Sequence, residues 1–245
     1  IAAIPTALGM VASLTTPFRA RYPDVLFRIR SCTSAEVLGL LENLEVDAGL
    51  TYIENEPVGK VRTIPLYSES YRLLTSPDAM FGDRDQVTWK EVGQVPLCLL
   101  TPDMQNRRII DRALRSVGAE ATPTLTSNSL LVLYTHVKTG RWASVMPAKL
   151  AETLGLADAV RSIPIVDPVV DIDVALIFQE ADEASDPRCN VRLIYWLLRR
   201  IPVATAPMLL EPPNGPIVDR ADRDPMQFHP MQEMTGRSAK QNRTA

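Results

Sequence analysis

An α/β fold built on a mainly parallel sheet is predicted from three observations. Strand-like and helix-like patterns alternate from the first residue. Each helical segment carries one apolar stripe at 3.6-residue spacing. The 245 residues are 46% hydrophobic and 22% charged, which is enough apolar material for a packed core in a chain of one large or two smaller domains.

The elements follow in order. Ile1 to Ile4 is an apolar run broken by Pro5 and Thr6. Val11, Leu14 and Phe18 then keep helical spacing, and the helix should stop near Arg21 because Tyr22 precedes Pro23. Val25, Phe27 and Ile29 alternate with Leu26, Arg28 and Arg30, which predicts a strand. Thr33 or Ser34 can cap the next helix, whose face is Val37, Leu40, Leu41 and Leu44. Asp47 to Thr51 reads as a third, buried strand, giving β-α-β-α-β and right-handed crossovers.

The second half repeats the logic without repeating the sequence. Val61 to Leu66 and Ser70 to Ser76 are extended. Leu97 to Leu100 is a buried strand, followed by a helix with Ile110, Ala113, Leu114 and Val117 on one face and Gly118 as its stop. A helix over Leu130 to Lys138 ends at Gly140, Ala143 to Met146 is a strand closed by Pro147, and Pro147 to Thr153 is helical. Asp171 to Gln179 alternates like a strand, and Asn190 to Arg200 is the last strong helix. From Ala206 the pattern is lost. The last 40 residues hold six of the 20 prolines, four of the eight methionines, and five acidic against five basic residues, so 206–245 is expected to be a disordered or extended tail.

Charge and motifs exclude several classes. Lys and Arg number 26 against 29 Asp and Glu, so no basic face for nucleic acid is implied. Three cysteines, Cys32, Cys98 and Cys189, are too few and too scattered for a disulfide framework or a zinc site. No apolar run is long enough to span a membrane, and a cytoplasmic setting is expected. There is no Gly-rich phosphate loop, nucleophile elbow or zinc-protease motif, and no cofactor, metal or catalytic group is expected. His136 falls in a helix. Asp171 and Asp173 share a strand face with no partner in view, and Cys98 reads as a buried thiol. Cys32 stands next to a helix start, which marks it as the more reactive thiol.

Open parallel sheets bind ligands beyond the carboxyl ends of their strands. The residues at those ends are Thr6, Thr33 and Ser34, Thr51 and Tyr52, Thr101 with Gln105 and Asn106, and Ser127 and Asn128 with Ser129. Hydroxyls and amides beside free backbone N–H groups suit a small anion. Each could serve only as a helix cap; their recurrence at equivalent places points to one site.

Three segments carry a resemblance. Phe18-Arg19-Ala20-Arg21-Tyr22-Pro23-Asp24-Val25 resembles the helix-to-strand signature of LysR-type transcriptional regulators. Leu41 to Leu50 resembles that family's Leu-Asp strand entry, and Val137 to Pro147 resembles its second-half motif, with Trp142 in place of the second glycine. The resemblance covers about Ile1 to Pro202.

It implies an effector-binding domain of the type II periplasmic-binding-protein fold, with two Rossmann-like subdomains and a ligand cleft between them. The first would be residues 1–72 plus 170–205, the second 73–169, and the crossings would fall near Tyr71 to Thr75 and Ile165 to Asp171. Effector contacts would come from Thr6, Thr33 or Ser34, Thr101, Asn106, and Ser127 or Asn128. Trp142 would either narrow the cleft or pack against a neighbouring helix. The implied partners are a small anionic effector, a homodimer or homotetramer, and RNA polymerase, with no membrane. DNA would be contacted only through the family's winged helix-turn-helix, which these residues do not include. A solute-binding protein of a transport system is the alternative on the same fold.

Overall fold

The computed structural model describes residues 1–53, 61–155 and 159–179. Contacts divide the chain into two units, Ile1–Pro202 and Val203–Ala245, and all the described residues belong to the first. The predicted helix over Asn190 to Arg200 and the tail lie outside the described residues.

Strand β1 (Ala2–Ala3) runs into a 3-10 turn at Pro5–Ala7 and then helix α1 (Leu8–Arg21). Val11, Leu14 and Phe18 form its buried stripe, as their spacing predicts. Strand β2 (Arg30–Ser31) leads to α2 (Ser34–Glu42) and β3 (Gly49–Tyr52). The predicted strand at Val25 to Arg30 is a correction: only Arg30 and Ser31 join the ladder, opposite Ala2 and Ala3. Val25 to Ile29 lie along the sheet edge, held by the Ile1 amino group on the Arg28 carbonyl, by Arg19 Nη1 on the Val25 carbonyl and by the Val25 amide on the Tyr22 carbonyl. Alternation in the side chains cannot supply a neighbouring backbone.

Strands β4 (Val61–Glu69) and β5 (Tyr71–Thr75) are separated by Ser70 alone. Then come β6 (Val87–Thr88), α3 (Trp89–Val92), β7 (Cys98–Leu100), α4 (Gln105–Ser116), β8 (Leu125–Ser127), α5 (Leu130–Val137), β9 (Ser144–Pro147), α6 (Ala148–Thr153), β10 (Arg161–Val166) and β11 (Ile172–Gln179). Gly118 and Gly140 take φ of +71° and +73° just beyond α4 and α5, the left-handed stop both were predicted to supply.

The first sheet has the order β2-β1-β3-β11-β4. β1, β2 and β3 are parallel, and β11 lies antiparallel between β3 and β4. The second sheet repeats this plan. β7 pairs β8 in parallel, the Leu97–Ala143 bridge joins β7 to β9, and β5 runs antiparallel between β9 and β10. Its order is therefore β8-β7-β9-β5-β10, with β6 at the far edge.

The antiparallel strand of each sheet is the first strand after a crossing, β5 in the second sheet and β11 in the first. The backbone passes from the first sheet to the second at Ser70 and returns over 167–171. One large apolar cluster, including Phe18, Leu50, Trp89, Ile110 and Val174, runs through both halves. A smaller one around Leu74, Cys98, Leu133 and Met146 lies under α5 and α6.

Candidate functional site

The carboxyl ends of β1, β2 and β7 and the start of α5 face one opening of about 610 Å3. Pro5, Ser31, Cys32, Thr33 and Glu36 line it from the first half, and Asp103, Met104, Asn128 and Ser129 from the second. A small enclosed cavity of about 10 Å3, roughly room for one water, shares Pro5 and Met104 with it. Its other walls are Ile4, Thr6, Ser34, Tyr52, Leu100, Gln105 and Asn106.

The predicted site residues divide by what they do here. Thr33 closes a capping box: its Oγ1 accepts from the Glu36 amide at 3.2 Å, and its own amide donates to Glu36 Oε2 at 2.7 Å. The start of α2 is therefore satisfied within its own turn. Neither Met104 nor Ser129, the N-caps of α4 and α5, makes a side-chain cap hydrogen bond; both line the opening, with Leu130 and Leu131 of α5, whereas Gln105 and Asn106 of α4 line the small cavity. Asn128 is exposed on the rim, and Ser127 Oγ accepts from the Ser129 amide at 3.1 Å, holding the turn before α5. Thr101 follows β7 and receives the Met104 amide on its carbonyl. Its Oγ1 is closed off from solvent and has no hydrogen-bond partner among the described residues.

Thr6, Ser34 and Asn106 are buried, at 3%, 1% and 4% exposure. Arg107, the cation at the base of α4, spends its charge inside: Nε donates to Asp111 at 2.8 Å and Nη1 to the Leu100 carbonyl at 3.1 Å. It ties the first turn of α4 to the end of β7.

Trp142 lines neither cavity. Its Nε1 donates to Thr124 Oγ1 at 2.8 Å and its ring meets His136 edge-on at 5.4 Å, against the small core. Packing against a helix is the role the structure shows, because the indole N–H already has a partner away from the cleft. Cys32 is likewise corrected. It is buried, and burial with the Glu36 charge nearby raises its thiol pKa, against the activation expected at a helix start. Cys98 is buried and its thiol is pushed up to about 11 by burial, as its apolar strand predicts. Asp173 accepts from Ser68 on an exposed strand face.

Sequence reasoning missed the residue behind the floor of the site. Glu69, 1% exposed, ends β4 at the first crossing. Its Oε2 accepts from the Tyr52 hydroxyl at 3.0 Å and its Oε1 from the Tyr67 hydroxyl at 3.1 Å. Tyr52 OH is also 2.9 Å from Thr6 Oγ1 and accepts from Asn106 Nδ2 at 3.3 Å, while the same amide reaches Tyr71 OH at 3.4 Å. Burial pushes the Glu69 carboxyl up to about 7, although the two tyrosine hydrogen bonds oppose it. A signal was present: Tyr67, Glu69 and Tyr71 stand at alternate positions, so one face of an extended segment carries all three.

Two mirrored sheets, each with one antiparallel strand entered at a crossing between them, and with strand ends converging on the opening, define the type II periplasmic-binding-protein fold. The model of the LysR substrate binding domain matches residues 1–190, and the chain belongs to that family. It is an effector-binding regulatory domain of the LysR type.

The HTH-type transcriptional regulator YfeR of Shigella flexneri is 28% identical over 128 residues, which are 52% of this chain and 41% of YfeR. The chain spans about half or less of the length of the curated relatives it matches. The effector-binding domain of QuiR in complex with shikimate superposes with a TM-score of 0.68 at 17% identity, covering 82% of this chain and 94% of that one. A full-length OxyR variant from Pseudomonas aeruginosa gives a TM-score of 0.68 at 23% identity, covering 82% of this chain and 67% of that one.

Proposed function

We propose that the opening between the two sheets binds a small anionic metabolite and that this binding sets the regulatory state of a LysR-type transcriptional regulator. One observation carries the reading. The N-cap of α4 and the first turn of α5 face the opening with no side-chain cap hydrogen bond from Met104 or Ser129, and the Thr101 hydroxyl, without a partner among the described residues, precedes α4. Uncapped N–H groups and the positive ends of two helices favour a negative group. Thr33 contributes less than expected, because Glu36 already occupies its amide. Among the described residues no Lys or Arg lines the opening while Glu36 and Asp103 do, so an anion there is held by dipoles and hydroxyls on the side away from those carboxylates.

The contacts proposed for the effector are Thr101, Ser127, Asn128 and the Thr6–Ser34–Asn106 floor. Homo-oligomerisation, operator binding through a winged helix-turn-helix, contact with RNA polymerase, a non-catalytic role and a cytoplasmic setting belong to the same reading of the whole regulator.

Thermal unfolding against a panel of small carboxylates tests it, with shikimate included because QuiR binds it and matched salts as controls. A ligand at 100 times its Kd stabilises by about 2.7 kcal/mol, a shift of several degrees. The expected result is a hit that Thr101→Ala abolishes. A panel without hits, or hits indifferent to Thr101→Ala, overturns the anion site.

A further inference from the structure

The hydrogen bonds between Thr6 and Glu69 form a chain with a definite direction. Thr6, Tyr52 and Asn106 line the small cavity, and Glu69 stands behind Tyr52. Among the described residues no Lys, Arg or His pairs with Glu69. The titratable groups that face it are Tyr67 on its own strand, Tyr52 on β3 and Tyr71 on β5, with the Asn106 amide from α4. On β11, Asp173 is bonded to Ser68, which alternates to the other face, and on α4 Arg107 is held by Asp111.

A phenol has one hydrogen to give and two lone pairs to offer. When Glu69 is ionised, it only accepts, so the Tyr52 hydrogen points to it. Both Tyr52 lone pairs are then used, one by the Asn106 amide and one by Thr6, which must donate. Thr6 is left with only lone pairs to show to the cavity, and lone pairs repel an anion. A proton taken from solvent onto Glu69 Oε2 reverses each link. Glu69 donates to Tyr52, Tyr52 donates to Thr6, and the Thr6 hydrogen turns to the cavity. Tyr67 keeps its bond to Oε1 in both states.

We infer that an anionic group in the opening, reaching the Thr6 hydroxyl across the one-water cavity that shares the Pro5 and Met104 walls, binds with uptake of one proton at Glu69, so that Glu69 acts through Tyr52 as a specificity-determining residue of the cleft. The inference rests on the anionic-effector reading given above. Burial holds the Glu69 carboxyl up at about 7, so the exchange falls in the neutral range.

The test is a pair of measurements on the full 245-residue chain. Infrared difference spectra follow the protonated-carboxyl band of Glu69, assigned by its loss in Glu69→Gln. They are recorded against pH alone and with formate, acetate, glycolate or benzoate, with the amides of the same acids as neutral controls. Thermal shifts give the affinity of each probe at each pH. The carboxylates should raise the midpoint of the band and the amides should not. Carboxylate affinity should weaken by up to ~tenfold per pH unit above the Glu69 midpoint.

Glu69→Gln should bind the carboxylates with a flat pH profile. Tyr52→Phe should keep the titrating band and lose its response to carboxylates, a result that does not depend on the Gln variant folding. Carboxylates that bind with no pH dependence, or with no movement of the band, overturn the coupling alone. Carboxylates that bind at no pH overturn both the coupling and the anionic cleft.

Discussion

Thr33 and Thr101 have the same side chain and opposite uses. Thr33 Oγ1 is spent on the Glu36 amide, so Thr33→Ala should lower stability by about 1 kcal/mol in urea unfolding, as for loss of a cap. Thr101 Oγ1 has no partner to lose among the described residues. Thr101→Ala should leave the unliganded midpoint nearly unchanged while removing the stabilisation by ligand, and a large fall in the unliganded protein would show that the hydroxyl is structural. Glu69 adds a pH dependence. Its folded-state pKa is about 7 against an ordinary 4.5. Below 4.5 the carboxyl is neutral folded or unfolded. Between 4.5 and about 7 the unfolded chain ionises first, so stability falls as pH rises. Above that it is level again. The difference corresponds to roughly 3 kcal/mol at most. Urea unfolding at about pH 5 and about pH 8 should show this loss in the wild type and a flatter profile in Glu69→Gln.

At the scale of elements, backbone closeness decides more than composition does. Strand β3 lies so near α2 that a Cβ at Gly49 would stand 2.5 Å from Val37 Cγ1 and 3.0 Å from Ile177 Cγ1. Gly49→Ala should cost about 1–3 kcal/mol through overpacking, measured by chemical denaturation. Gly118 is the contrast. A Cβ there meets nothing, yet its φ is +71°, so Gly118→Ala should cost about 1 kcal/mol for conformational reasons alone. Both helix stops were legible because a left-handed turn needs a particular residue. The segment before β2 was not, because Val25, Phe27 and Ile29 alternate properly but lie on a sheet edge. Pairing depends on what is alongside, and alternation does not report it.

At the scale of the molecule, the two sheets are joined by a one-residue crossing at Ser70 and a return over 167–171, and by the polar network between them. Asn106 starts in the second half and reaches Tyr52 in the first, as well as Tyr71 just past the crossing. Asn106→Ala removes these bonds and leaves buried hydroxyls short of a donor, at a cost of about 1–3 kcal/mol. Amide hydrogen exchange should quicken around Ser70 and 167–171 while β1 and β3 stay protected. Unchanged exchange at both crossings would mean that the sheets are held by packing alone.

The sequence by itself determined the alternation of elements, the helix stops, the family and the rank of hydroxyl and amide residues at the strand ends, because these depend on neighbours within a turn or a strand. It also held the Tyr67–Glu69–Tyr71 alternation, but not the reason to single it out. Only the tertiary structure decided that Trp142 turns away to Thr124 and that Glu69 meets Tyr52 behind Thr6. Those facts join residues 17, 18 and 46 positions apart. A buried carboxyl takes its protonation from everything that excludes water around it, which is a property of the assembled fold.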